Sequence, residues 1–287
     1  MPAQISKSEV LSIMEKIGNI CSMRIQVYLV GGGAMALRGE KDATKDLDLI
    51  VRSSLEAQEL KRAFESLGFD VNTRHPQECH ALVDATILSA SGGGVRADIF
   101  AERICNKLRL SEGMIRRAER VDEWGELVLY ICSREDIFLL KSVTERSRDL
   151  DDMIALFRKG LSRDIILEEC DNQTDPEGLR KSSIWEAFLL TKLDEMERRY
   201  GVKVPWKRAL KTRAELKMGA QRLLTLIDKG MNSVDGLSTE LRETPAFIRE
   251  CLDYLEKNNQ IVVDRKVRPH RIKSPKRAYN AADNRTM

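Results

Sequence analysis

Histidine and paired cysteine are what this chain has least of. It holds three histidines in 287 residues, and its six cysteines (Cys21, Cys79, Cys105, Cys132, Cys170 and Cys251) are scattered with no Cys-x-x-Cys pair. Zinc sites and dithiol redox centres depend on ligands paired at short spacing, so neither is indicated, and nothing supports a catalytic cysteine. The chain also lacks a long uncharged apolar stretch and a signal-like N-terminus. Together with the unpaired cysteines this leads us to expect a reducing, cytoplasmic setting and no membrane partner. Charge of one sign is not in excess either: 48 basic and 45 acidic residues leave +3. That balance does not by itself demand a nucleic-acid partner, and the placement of charge matters more than its sum. A hydrophobic content of 42% over this length is enough for two domains with cores of their own.

The most informative stretch is Tyr28 to Val51, YLVGGGAMALRGEKDATKDLDLIV. An apolar run enters three glycines, a short helical piece follows, and a second apolar run opens with Asp46 and Asp48. Residues two apart in a strand project to the same side, so a DLDLIV strand presents both carboxylates together and sends Leu47 and Leu49 into the core. Two like charges side by side repel, and solvent or a hard divalent ion such as Mg2+ is what neutralises them cheaply. Upstream, the glycines suit a backbone that bends sharply and approaches something closely, and a helix opening at Ala34 would offer its N–H groups to an anion. A phosphate cradle and a carboxylate pair about a dozen residues apart are what nucleoside-triphosphate chemistry needs.

Other readings of the stretch are weaker. Gly31-x-Gly33-x-x-Ala36 looks like a dinucleotide-binding fingerprint, but the crossover is too short and is broken by Gly39. No Gly-Lys-Ser/Thr follows the glycines, which excludes a P-loop. A bland glycine turn beside a solvated acidic strand end is the remaining alternative.

The pattern of glycines, spacer and Asp-x-Asp resembles the nucleotidyltransferase superfamily, the fold shared with DNA polymerase beta. That resemblance covers about 26–157 and implies a third carboxylate from a later strand. VRADIF supplies Asp98 for that role, with Asp84 of the preceding run as competitor and an ion pair with Arg96 as the structural alternative. A helix bearing Lys141, followed by Arg148-Asp149-Leu150-x-Asp152, is similar to the branch containing nucleotidyltransferase-type toxins of abortive-infection systems and related proteins. It implies phosphate contact for Lys141 and a supporting role for Asp149 or Asp152; a solvated charged helix is the competing reading. The resemblance thus implies metal ligation by Asp46, Asp48 and Asp98 through Mg2+ or Mn2+, and nucleotide binding by Gly31, Gly32, Gly33, Ala34, Thr44, Lys141 and Asp149. Transfer of an NMP group from an NTP to RNA, tRNA or a protein hydroxyl, with release of pyrophosphate, is the activity expected.

Elsewhere, Lys7–Met23 is expected to be a helix capped by Ser6 or Ser8, and Leu55–Leu67 a helix capped by Ser53 or Ser54 and closed by Gly68. His75, Cys79 and His80 lie in a polar loop and lack an obvious fourth zinc ligand. Ser91-Gly92-Gly93-Gly94 signals a hairpin, and Ser133 with Glu135 and Asp136 a helix start. The fold class expected is α+β, a small mixed sheet with flanking helices followed by an α-helical C-terminal part. Divisions are placed at 1–165, 166–230, 231–272 and 273–287. Residues 231–272 read as helix, turn, helix and hairpin, which resembles a winged helix-turn-helix, followed by a basic, disordered tail. The basic run Arg265, Lys266, Arg268, Arg271, Lys273, Lys276 and Arg277 would meet RNA or DNA phosphates on the wing and tail. Winged helices also dock proteins or dimerise, so a homodimer is a second use. The alternative function is a DNA-binding regulator or antitoxin-like partner whose nucleotidyltransferase domain only senses nucleotide.

Overall fold

A computed structural model describes residues 4–74, 87–104, 108–144, 147–173, 179–180, 183–264 and 271–273. His75, Cys79, His80, Asp84 and most of the basic run and tail lie outside them. Two compact units are present, Met1–Gln173 with Lys192–Lys203, and Thr174–Thr191 with Val204–Met287.

The first unit begins with α1 (Lys7–Ile20), β1 (Ile25–Val30), α2 (Gly31–Leu37), β2 (Asp46–Val51) and α3 (Ser54–Ser66). There follow β3 (Asp70–Arg74), β4 (Ile87–Gly92), β5 (Val95–Ala101), the short pair β6 (Arg103–Ile104) and β7 (Leu108–Arg109), α4 (Glu112–Arg117), β8 (Glu119–Trp124) and β9 (Leu127–Ile131). Three helices close it: α5 (Arg134–Ser142), α6 (Ser147–Arg158) and α7 (Arg163–Asn172). Seven strands form one mixed sheet in the order β3-β4-β5-β2-β1-β9-β8, so the molecule is α+β. The pairs β2–β5 and β1–β9 are parallel and the other neighbours antiparallel. The sheet is larger than the small one expected, partly because β8 (ERVDEW) carries too much charge to read as a strand; it lies at the sheet's edge, where one side of the ladder is unpaired.

Local chemistry explains the helices. Ser6 and Glu9 form a capping box on α1, and Ser53, Ser111, Ser133 and Ser162 cap α3, α4, α5 and α7 by accepting from a backbone N–H. Val10, Met14 and Ile17 of α1 and Leu60 and Phe64 of α3 are fully buried, as are Val27 and Leu29 of β1 and Leu47, Leu49 and Val51 of β2. Each large side chain so buried contributes roughly 1.5–3 kcal/mol. Helix α2 opens at Gly31, three residues before the expected Ala34: Gly31 has φ +62, a conformation open to glycine at little cost, which lets the chain turn directly from β1 into the helix. Gly39, at φ +70, follows the end of α2.

In the second unit the elements are α8 (Trp185–Tyr200, which spans the division), α9 (Lys207–Asp228), α10 (Val234–Leu241), α11 (Pro245–Lys257) and a hairpin of β10 (Val262–Asp264) with β11 (Arg271–Lys273). Arg242 ends α10 in the left-handed conformation, and Thr244 caps α11 with Pro245 in its first turn. Leu223, Leu224, Leu237, Ile248, Cys251 and Leu255 centre this unit's core. Among the described residues no helix is long and apolar enough to cross a membrane.

Candidate active site

Strand register brings the acids together. In the parallel pair β2–β5, Asp46 lies opposite Arg96 and Asp48 opposite Asp98, while Val30 at the end of β1 pairs with Asp48. Asp46, Asp48 and Asp98 therefore share one face of the central strands, with Leu47 and Leu49 buried on the other. The glycine turn abuts this row. A β-carbon at Gly31 would collide with Asp48 Oδ2, and one at Gly32 would lie 2.6 Å from Thr44 Oγ1. Only glycine lets the turn come this close. Thr44 is buried and donates through Oγ1 to the Asp46 carbonyl at 2.8 Å, which fixes the entry to β2.

Three carboxylates in a row need counter-charge. Arg96 supplies it: Nε is 3.3 Å from Asp46 Oδ1 and Nη2 is 3.3 Å from Asp98 Oδ2. Arg148 adds a longer contact of 3.9 Å to Asp46 Oδ2. Asp98 is buried and also accepts from the Ser89 hydroxyl on the neighbouring strand. The ion pair weighed as the structural account of Asp98 is thus present, and Arg96 reaches Asp46 as well. Among the described residues no three His, Cys, Asp or Glu side chains are grouped closely enough to hold a metal ion as they stand. The donor set is nevertheless of the right kind for Mg2+ or Mn2+, hard carboxylate oxygens beside a turn without side chains. An ion there would take over the neutralising work of the Arg96 guanidinium.

A second charged network lies behind the turn. Lys141 of α5 contacts Asp149 Oδ1 at 2.6 Å and Asp152 Oδ2 at 2.7 Å, both on α6, and Thr144 donates to Asp149. Burial alone would pull Lys141 down, but the two carboxylates outweigh it and hold the ammonium above its ordinary value. Burial likewise pushes Asp152 up, and Lys141 with Lys41 reverse that and hold it below its ordinary value. Both aspartates left open by the sequence therefore meet Lys141, and the solvated-helix reading fails for them because Asp149 and Asp152 are buried. Lys41 joins the network through Asp152 Oδ1 at 2.8 Å. The sequence reading did not single out Lys41; its charge is one among many in the run EKDATKD, and only its distance to the glycine turn distinguishes it.

A third cluster is structural. Arg117 of α4 pairs with Asp136 of α5 (Nη2–Oδ1 2.6 Å) and with Glu169 of α7, and Ser111 donates to Glu169 at 2.7 Å, tying three helices together. Burial raises the Asp136 carboxyl, and Arg117 opposes that rise.

No protein-family model matches the chain, and no curated protein does. Among solved structures, it is similar to one described as a "putative nucleotidyltransferase from H. pylori", at 13% identity over 67% of this chain and 95% of that one. The TM-score is 0.33, a likeness too remote to carry an argument.

Proposed function

We propose that the first unit is a metal-dependent nucleotidyltransferase that moves an NMP group from an NTP to an acceptor hydroxyl. The observation that carries this reading is the row of Asp46, Asp48 and Asp98 on one sheet face, with Gly31 set against Asp48 so closely that no side chain fits between them. Asp46, Asp48 and Asp98 would hold Mg2+ or Mn2+, which when bound supplies Lewis-acid charge neutralisation to the triphosphate and the attacking hydroxyl. The chain's own residues do the rest. Gly31, Gly32, Gly33 and Ala34 keep the turn narrow so that backbone N–H groups can approach phosphate oxygens, and Thr44 fixes the strand that carries the acids. Lys141 and Asp149 brace α5 against α6 and add fixed charge behind the turn. The second unit's helix-turn-helix order with its hairpin supports a winged helix, and with it contact to a nucleic-acid acceptor or a second copy of the chain.

Asp48→Asn tests the reading. The side chain is half-buried on the sheet face and Asn is close to it in size, so the fold is expected to persist while Mg2+-dependent pyrophosphate release from labelled NTPs disappears. Retained turnover in that variant would remove the metal role from the acids.

One observation favours a non-catalytic second reading, a nucleotide-sensing domain on a DNA-binding regulator: Arg96 already neutralises two of the three acids. Incubation with each labelled NTP, Mn2+ and total cellular RNA and protein, set beside DNA binding across a salt titration, separates the two. Label on RNA or protein supports transfer, whereas salt-dependent DNA binding with no labelled product supports the regulator.

A further inference from the structure

Lys41 lies in the loop between α2 and β2, and that loop folds back over the glycine turn. Its Nζ lies 3.9 Å from where a β-carbon on Gly32 would stand. The same ammonium contacts Asp152 Oδ1 at 2.8 Å, while the other oxygen of that carboxylate is held by Lys141 at 2.7 Å. Asp152 is thus a counter-ion shared by two lysines, and the two are not equivalent. Lys141 has a second carboxylate, Asp149, and its side chain is only 12% exposed, against 38% for Lys41. Moving Lys141 toward a ligand would strand two buried carboxylates, a costly step. If Lys41 moves, Asp152 remains neutralised by Lys141. An ammonium has three donors, and Asp152 engages Lys41 through one oxygen, so donors remain for phosphate oxygens.

We propose that Lys41 is the side chain that grips the nucleotide's phosphate chain at the glycine turn, with Asp152 as its parking counter-ion and Lys141 as the fixed charge that keeps Asp152 neutral when Lys41 leaves. This rests on the nucleotidyltransferase reading and sharpens it, since it assigns the mobile phosphate contact to a loop residue in place of Lys141.

The test uses the full chain and inorganic tripolyphosphate with Mg2+, a probe that needs no knowledge of the base, followed by titration of all four NTPs in a calorimeter. Wild type binds, Lys41→Gln binds at least about tenfold more weakly, and Lys41→Arg retains binding. Binding also becomes less sensitive to added salt on losing Lys41, because one screened charge contact is gone, a readout that a merely structural lysine would not move. Lys41→Met, which keeps the apolar stem, reads the same contact should the Gln variant melt early. Equal binding by wild type and by folded Lys41→Gln and Lys41→Met overturns the assignment while leaving the nucleotidyltransferase reading intact. No binding of tripolyphosphate or any NTP to wild type overturns both.

Discussion

At the scale of the residue, the site is a contest between carboxylates and the cations that make them tolerable. Asp46, Asp48 and Asp98 stand in a row with Arg96 between two of them, so Arg96 does in the isolated chain what a divalent ion would do in a loaded one. Replacing Arg96 with Gln is therefore expected to have two opposite effects. Without metal the acids lose their main counter-charge and the melting temperature falls, by an amount corresponding to about 1 kcal/mol for a partly exposed pair. With Mg2+ or Mn2+ titrated in, the apparent affinity rises severalfold because the ion no longer competes with a guanidinium. Thermal melts across a metal titration measure both, and a variant that melts like wild type with and without metal would show that Arg96 is not the neutralising cation. Asp152 makes a companion case in pH. Its carboxyl is held below its ordinary value by Lys141 and Lys41, so the stability it lends is complete above the unfolded carboxylate range near 4 and is lost as pH falls through the depressed folded value. Acid melts of Asp152→Asn should be flatter below pH 4 than those of wild type.

At the scale of the element, glycines decide how closely pieces pack. A β-carbon at Gly18 of α1 would run into the carbonyl oxygen of Trp124 at the end of β8, and backbone cannot swing aside as a side chain can. Gly18→Ala should cost roughly 1–3 kcal/mol by overpacking. Gly39→Ala meets no neighbour and pays only for its left-handed φ of +70, about 1 kcal/mol. Chemical denaturation should place the Gly18→Ala midpoint below that of Gly39→Ala, and a Gly18→Ala midpoint at or near that of wild type would refute this account of the α1–β8 contact. Much of this packing was legible in the chain. Alternation in DLDL placed Asp46 and Asp48 on one face, Ser133 with Glu135 and Asp136 marked the start of α5, and the serines that cap α1 and α3 were each one of two candidates. What the chain hid has physical reasons. Strand β8 is an edge strand whose charged residues carry no apolar alternation, α4 has only six residues, and a left-handed Gly31 lets α2 begin where a helix start was not expected. The candidate site was legible only as residue types. That Arg96 bridges two acids and Lys41 reaches the glycine turn depends on strand register and loop path, which no local pattern encodes.

At the scale of the whole molecule, each unit has its own core, and each core has a buried thiol. Burial pushes Cys21 in the first unit from 9.0 up to about 11, and Cys251 in the second from 9.0 up to about 12. Burial also raises Cys132, and Tyr28 to about 12, both in the first unit. Below pH 9 these groups are protonated in folded and unfolded chains alike, and their contribution to stability is complete. As pH climbs from 9 toward 11 or 12 the unfolded chain releases protons that the folded one retains, so stability falls across that window. Lys141 acts with the same sign, because its folded value is raised and its ion pairs weaken only when it loses its proton. Among the described residues the first unit holds more such groups than the second, so it should be the more sensitive to alkali. Calorimetry between pH 8 and 10.5 should show melting move to lower temperature, and Cys251→Ala should flatten the pH response of the second unit's transition while leaving that of the first unchanged. A melting temperature constant over that range would mean that these thiols reach water in the folded protein, and that the cores are less closed than their packing indicates.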